Sequence, residues 1–448
     1  MTSAVEETMT VTKRILEPLS TKLQRIANRA KEEPEAVFNS LSANFTLRML
    51  RRAYDSIRKD GAAGIDGQTA EQYAENLEEN LRNLRHRIRK NEYRAPSVRR
   101  VWIPKEGGAR PLGIPTFEDK IVQKVVQQLL EPIYEQDFQD CSYGFRKGRN
   151  AHQALSAIRE QCMNDGIAYI IDADIKGYFD SIKHTVLREI LQQRVADGGI
   201  LRLIGKWLKA GVLDEGQKSY PEDGTPQGGV ISPLLANIYL DFVLDRWFVQ
   251  VVQPRMKGKV FLVRYADDFV IGCQRLEDAQ RLMAVLPKRL AKHGLTIHPE
   301  KTRLIDFSKP RGDKRNKNTF DFLGFTHYWG KSKRGYWVIK HKTAKKRVSR
   351  FMKRVNQHCK QQRHAPIWNQ HQKLVQMLRG HFSYFGVTCN SPVLWSVRYH
   401  TLLLWRKWLN RRGARKSMSY DRFYKSLMTR FPLPKPYMHS AQQLALYG

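Results

Sequence analysis

The chain has few cysteines, few acids and no long apolar run, and each shortage excludes something. Its five cysteines, Cys141, Cys162, Cys273, Cys359 and Cys389, are scattered, and none forms a C-x-x-C pair. That argues against a zinc site and a disulfide framework, and it fits a reducing cytosol. No stretch approaches the roughly 18 uninterrupted apolar residues of a membrane span, so none is expected. The N-terminus, MTSAVEETMTVTKRILEPL, lacks a basic start followed by an apolar core, and so does not read as a secretory signal. Internal repeats and low-complexity segments are also missing. Acids are the most telling shortage: 43 Asp and Glu stand against 78 Lys and Arg, a formal charge of +35 over 448 residues. That is the electrostatic footprint of a polyanion binder, with nucleic acid the leading partner and an anionic membrane the weaker one.

What is present centres on Val260 to Cys273, VFLVRYADDFVIGC. Asp267 and Asp268 sit between two short apolar runs that are β-branched or aromatic and too short for ordinary helices. The pattern predicts a hairpin with carboxylates at its tip, a setting that hard divalent cations prefer: Mg²⁺ takes one or two carboxylates plus substrate phosphates. The plain alternative is a solvated turn, since Asp is a common turn residue. A second acidic strand end lies upstream, in AYIIDADIKGYFDSI (168–182), where Asp174 is the candidate ligand.

Around these stretches the chain reads as alternating helices, strands and glycine-rich loops. Residues 1–60 look helical, with breaks near Pro18 and Pro34, and 69–90 look like one helix that begins acidic and ends basic. Residues 98–117 read as a hairpin whose turn is flanked by Lys105 and Arg110. Two such cations could clamp a triphosphate, Arg as a planar fork and Lys as a point charge; a solvated basic hairpin is the alternative. Helices are expected at 118–136 and 151–163, with the basic loop SYGFRKGR (142–149) between them, and at 230–240 with Pro233 in the first turn, where proline is tolerated. That last helix follows the tight loop TPQGG (225–229), whose Gln227 could hydrogen-bond a nucleotide. Leu276 to His293 has amphipathic spacing, with Leu282, Val285, Leu286 and Leu290 on one side, and FDFLGFTHYW (320–329) reads as a strand or hairpin bent at glycine.

Beyond Gly330 the composition shifts. Residues 331–430 hold 25 Lys or Arg and one acid, Asp421. Charge of one sign over so long a stretch is hard to explain as surface solvation, and basic residues interleaved with aromatics are the physical recipe for gripping phosphates and stacking on bases. Three helices are expected there, near 343–360, 367–384 and 392–410.

Two metal ions held by shared carboxylates can activate an attacking oxygen and stabilise a leaving pyrophosphate. Template-directed nucleotidyl transfer needs that chemistry together with a cationic track for the duplex. The order of blocks carries a resemblance in the same direction. YADD (265–268), DIKGYFD (174–180) and TPQGGVISPLLANIYL (225–240) resemble a bacterial group II intron-encoded reverse transcriptase. RPLGIPTFEDKIVQ (110–123), YGFRKGRNAHQAL (143–155), GLTIHPEKT (294–302) and FDFLGF (320–325) are similar to that family's finger and palm blocks, and RGHFSYFGV (379–387) to its maturase, or thumb, segment.

The resemblance implies an α+β right-hand polymerase. Residues 1–60 would form a helical extension, 61–167 the fingers with part of the palm, 168–330 the palm, 331–414 a basic helical thumb or maturase domain, and 415–448 a short DNA-binding segment resting on Arg415, Lys416, Arg422, Lys425 and Arg430. Asp174, Asp267 and Asp268, with the Ile175 carbonyl, would bind two Mg²⁺ ions, for which Mn²⁺ could substitute. Lys105, Arg110, Gln227 and Lys301 would lie at the dNTP, and Phe179 under its sugar. Leu323 and Gly324 would touch the primer end, Arg146 and Arg149 the template–primer, and Lys345, Lys346, Arg347, Arg350 and Arg379 the RNA. Implied partners are a group II intron RNA in a ribonucleoprotein, an RNA template with a DNA primer, and target DNA, in a bacterial cytoplasm and its nucleoid. Many relatives carry a C-terminal endonuclease domain with cysteine pairs. Without one here, no second-strand cleavage is expected. Two other readings stand: an RNA-binding maturase with a silent polymerase, and a relative recruited to host DNA repair or defence.

Overall fold

The computed structural model describes residues 21–105, 108–214, 217–220, 223–225, 228–312, 317–412 and 418–438. Gln227, the break at Pro18, Arg415 and Lys416 therefore lie outside the described residues. Helix α1 covers 21–32, followed by α2 (Leu47–Ser56), α3 (Ala70–Glu75), α4 (Leu77–Arg89), β1 (Val98–Lys105), β2 (Gly108–Ile114), α5 (Phe117–Asp137), α6 (Ala151–Asn164) and β3 (Tyr169–Asp174). A 3₁₀ turn at Tyr178–Ser181 leads to α7 (His184–Gln192), α8 (Gly198–Leu208), β4 (Val212–Asp214), β5 (Gln217–Ser219) and α9 (Ser232–Leu240). Then come β6 (Val260–Tyr265), β7 (Asp268–Cys273), α10 (Leu276–Lys292), β8 (Arg303–Asp306), β9 (Phe320–Phe322), β10 (Phe325–Lys331) and β11 (Trp337–Thr343). The chain closes with α11 (Lys345–Gln361), α12 (Ile367–Phe385), α13 (Ser391–Leu409) and α14 (Tyr420–Arg422), which runs on helically to Arg430. No described helix is long and apolar enough to cross a membrane.

Two compact units emerge, each assembled from separated stretches of chain. The first comprises residues 1–146, 174–255 and 281–300. Its sheet has the order β2-β1-β4-β5, with β1 and β2 antiparallel from Arg99↔Ile114 to Lys105↔Gly108. Its core helix is α5. Thr116 accepts the Asp119 N–H at the helix start, Glu118 and Asp119 complement the dipole, and Ile121, Val122, Val125, Val126, Leu129 and Leu130 are fully buried.

The second unit comprises 147–173, 256–280 and 301–448. It holds the sheet β6-β7-β3-β8, the smaller sheet β11-β10-β9 and the basic helices α11 to α13. The Ala168 N–H donates to the Cys273 carbonyl (3.1 Å), so the start of β3 lies beside the end of β7 and the two strands run antiparallel.

Three expectations change. The single helix over 69–90 breaks at Asn76, whose backbone (φ −123°, ψ 42°) is not helical. Val285 is 46% exposed, so the buried stripe of α10 is Ala279, Leu282, Leu286 and Leu290. The region beyond 331 is not helical from its start: β11 first pairs with β10 along its whole length, Phe325↔Thr343 to Lys331↔Trp337.

Candidate active site

The acidic hairpin forms where its apolar flanks predict. β6 and β7 pair from Val260↔Cys273 to Tyr265↔Asp268. The turn is therefore only Ala266-Asp267, and Asp268 is the first strand residue rather than part of the tip. A two-residue turn that matches the strand twist needs φ > 0 at its first position, and Ala266 supplies it with φ 58°, a region costly for any residue with a Cβ. Beneath the turn, Arg264 is fully buried and donates to the Ala266 carbonyl (2.9 Å). Asp267 is half-buried and Asp268 exposed. β3, the neighbour of β7 in the sheet, runs antiparallel to it and ends on Asp174. Past that residue, Ile175 forms an isolated bridge with Ile297. It is closed by the His298 N–H on the Asp174 carbonyl and the Lys176 N–H on the Thr296 carbonyl (both 2.8 Å), so it bypasses the Ile175 carbonyl.

Within the first unit, three elements converge around the 3₁₀ turn that carries Phe179. The Thr225 N–H bonds the Phe179 carbonyl and the Gly224 N–H the Ile182 carbonyl, both at 2.8 Å. Gly228 (φ 113°) lies so close to β2 that a Cβ there would stand 2.5 Å from the Gly113 carbonyl oxygen. The Ile231 N–H donates to Gln123 Oε1 (3.3 Å), and Gln123 Nε2 in turn donates to Asp119 (2.9 Å). Asp119, 1% exposed, also accepts from Trp207 Nε1 (2.7 Å) and from the Tyr93 hydroxyl. Burial pushes its carboxyl up to about 6, with the three donors pulling the other way. The loop that carries Gln227 is thus fastened to Phe179 on one side, to β2 on another and to α5 beneath. Arg110 on β2 is exposed; desolvation raises the Asp180 carboxyl, and the charges of Arg100 and Arg110 offset only part of that.

Within the second unit, the Leu323-Gly324 turn between β9 and β10 has both residues at φ > 0, 51° and 82°. The Tyr384 hydroxyl donates to the Leu323 carbonyl (2.8 Å), the Ala344 N–H donates to the Gly324 carbonyl (2.9 Å), and a Cβ on Gly324 would lie 3.3 Å from the Arg347 guanidinium. The Tyr384 ring is 37% exposed, yet its bonded hydroxyl is desolvated and is pushed up to about 12, with Tyr265 and Asp268 adding to the shift. The turn expected at the primer end is therefore clamped by the first turn of α11 and the last turn of α12.

Other expected residues divide. Lys345, Lys346, Arg347, Arg350, Arg379 and Lys301 are exposed, Arg149 and Asp174 half-buried, and Phe179 buried. Arg146 is a correction. It is 8% exposed and its guanidinium is committed to Glu135 (3.1 Å) and the Gln139 and Ser142 carbonyls (2.8 and 3.0 Å), so a nucleic-acid contact would have to break these bonds first. The Lys105 side chain lies outside the described residues. Three residues escaped the sequence reading: Arg264, Tyr384 and Phe145, the last 56% exposed at φ 57° in the YGFRKG loop. A cation interrupting the apolar run before the two acids was the available signal for Arg264. The other two lie inside quoted blocks, Tyr384 in RGHFSYFGV and Phe145 in SYGFRKGR, but nothing there singled them out.

Among the described residues, no three His, Cys, Asp or Glu side chains converge into a closed metal-binding group. The donors at the hairpin are all oxygens, half-buried or exposed. They fit a hard cation that needs only one or two carboxylates and completes its shell with water and phosphate, and they do not fit a caged zinc. A family profile decides the affiliation: that of reverse transcriptase (RNA-dependent DNA polymerase) matches residues 103–327. The chain belongs to this family. Among its relatives, it is 37% identical over 243 residues to group II intron-encoded protein LtrA of Lactococcus lactis subsp. cremoris, covering 53% of this chain and 39% of that one. It is 36% identical over 237 residues to protein YkfC of Escherichia coli (strain K12), covering 46% and 62%. It is 30% identical over 236 residues to nuclear intron maturase 2, mitochondrial, of Arabidopsis thaliana, covering 44% and 30%. The match spans less than two thirds of each of these relatives.

Proposed function

We propose that the chain is an RNA-directed DNA polymerase that copies a group II intron RNA during retrohoming and binds that RNA as a maturase to promote its splicing. The observation that carries the reading is the two-residue Ala266-Asp267 turn. It fixes Asp267 and Asp268 at one end of a sheet whose next strand ends on Asp174, in a chain of the reverse transcriptase family. Asp174, Asp267 and Asp268, with the Ile175 carbonyl, would hold Mg²⁺. When bound, such a cation supplies Lewis acidity to the attacking hydroxyl and the leaving pyrophosphate. The protein's own contribution is positioning. Arg110, with Lys105 across the hairpin, binds the triphosphate. Phe179 and the loop carrying Gln227 frame the sugar and base, with Lys301 as a further triphosphate contact, while Leu323 and Gly324 seat the primer end. Arg149 takes the template–primer, and the exposed cations of α11 and α12 take the RNA.

Primer extension on an RNA template with Mg²⁺ tests this. Asp267→Asn/Asp268→Asn should abolish extension while leaving RNA binding intact; wild-type extension no better than the double variant's refutes the polymerase. A splicing assay on the same variant tests whether the maturase role is separable.

A further inference from the structure

A cavity of about 950 Å³ opens in the first unit, between the segment entering β1 and helix α8. Arg94, Arg188, Arg202, Lys206 and Lys209 line it, with Tyr220 at its edge and no acid among the lining residues. Arg202, Lys206 and Lys209 fall on one face of α8 by their spacing. Among the described residues, the side chains of Arg94, Arg188, Arg202 and Lys209 have no ion-pair or hydrogen-bond partner. Lys206 donates only to the Tyr93 carbonyl (2.6 Å). Desolvation, then the charges of Arg202 and Arg94, lower its ammonium from the usual range. Like charges gathered into a concave surface without counter-charge cost the folded protein energy that a bound polyanion relieves, and such a cleft focuses the field on its ligand. Tyr220, 65% exposed, offers a flat apolar face beside the cations.

We propose that this cavity binds the phosphodiester backbone of a single-stranded nucleic-acid segment, with Tyr220 stacking on a base. A concave site of this size suits a single strand better than a flat membrane, and five spread cations suit several linked phosphates better than a lone one. The inference stands on the cavity and its charges. It does not need the carboxylate site to be active.

The test uses the full chain carrying Arg94→Gln/Arg202→Gln/Lys209→Gln, three exposed positions whose replacement leaves the core untouched. The probe is a labelled oligouridylate of about ten nucleotides, titrated over a range of salt. Loss of three contacts should lower the salt slope by about 2, at about 0.7 per single-strand phosphate. Ultraviolet cross-linking to the Tyr220 peptide should disappear with it. An unchanged slope, or a cross-link that persists, overturns the proposal. An equal loss with a thymidylate oligomer supports it, with DNA as the source of the strand. Inorganic tripolyphosphate that displaces the oligomer equally well at matched phosphate overturns it in favour of a free-polyphosphate site. Primer extension at saturating template–primer should be unchanged in the variant; its absence in the wild type would count against the polymerase reading alone.

Discussion

At Ala266 a residue with a Cβ is held at φ 58°, and the position is paid for by the hairpin that closes around it. The left-handed conformation costs an L-residue about 1–2 kcal/mol. Ala266→Val adds β-branching to that strain and should lower stability by about 1–2 kcal/mol, whereas Ala266→Gly should leave it equal or higher; denaturant midpoints of the two variants check the order. That the acids lie on a hairpin was legible because their flanks are β-branched and short. That Asp268 belongs to the strand, and that Arg264 points inward under the turn, was not. Alternation says which side chains share a face, but a lone arginine in a strand reads the same whether it meets water or a carbonyl. Arg146 shows the converse: its motif suggested nucleic acid, and its half-buried partner Glu135, eleven residues earlier, is invisible to spacing.

Among the elements, the loop from Gly224 to Ile231 depends on close approaches that only glycine allows. Gly228→Ala would force the backbone off the Gly113 carbonyl. On the proposed function, it should raise the KM for dNTP about tenfold, roughly 1.4 kcal/mol, with a smaller effect on kcat, as steady-state extension would show. The long helices were legible from periodicity and caps. The β4-β5 pair escaped because strands of three residues carry almost no pattern. β11 escaped because its outward lysines, Lys340 and Lys342, merged with a basic region and hid the alternation of buried Ile339, His341 and Thr343.

Across the whole molecule, two buried groups, one in each unit, respond to acid with opposite sign. Asp119 in the first has a carboxyl raised to about 6. The folded state therefore binds its proton more tightly than the unfolded state, and its contribution to stability is present below pH 4 and lost as pH rises through 6, by about 3 kcal/mol at most. His381 in the second is buried and lowered to about 4. Its contribution is present at neutral pH and lost as pH falls from 6.5 through 4. Relative to wild type, Asp119→Asn should thus gain stability on going from pH 4.5 to 7. His381→Phe should gain it on going from pH 7 to 4.5. Denaturation of both variants at the two pH values measures the signs. The net charge of +35 adds a second whole-molecule expectation: affinity for structured RNA should fall by about 10³-fold or more between 50 and 200 mM salt, as for proteins making about 6–10 phosphate contacts. The charge was plain from composition. Its gathering into a cavity of the first unit, far along the chain from the basic helices, was not, because Arg94 and Arg202 meet only through folding.

The turn at Ala266-Asp267 also bears on how such a chain can vary over generations. Two antiparallel strands joined by two residues have no slack. Deleting a single residue there would slip the register by one and turn Asp268 and every side chain after it to the opposite face of the sheet, and an inserted one would have to be absorbed as a bulge that re-aims the acids. A change of length at this spot therefore moves the acids themselves, whereas a substitution there need not.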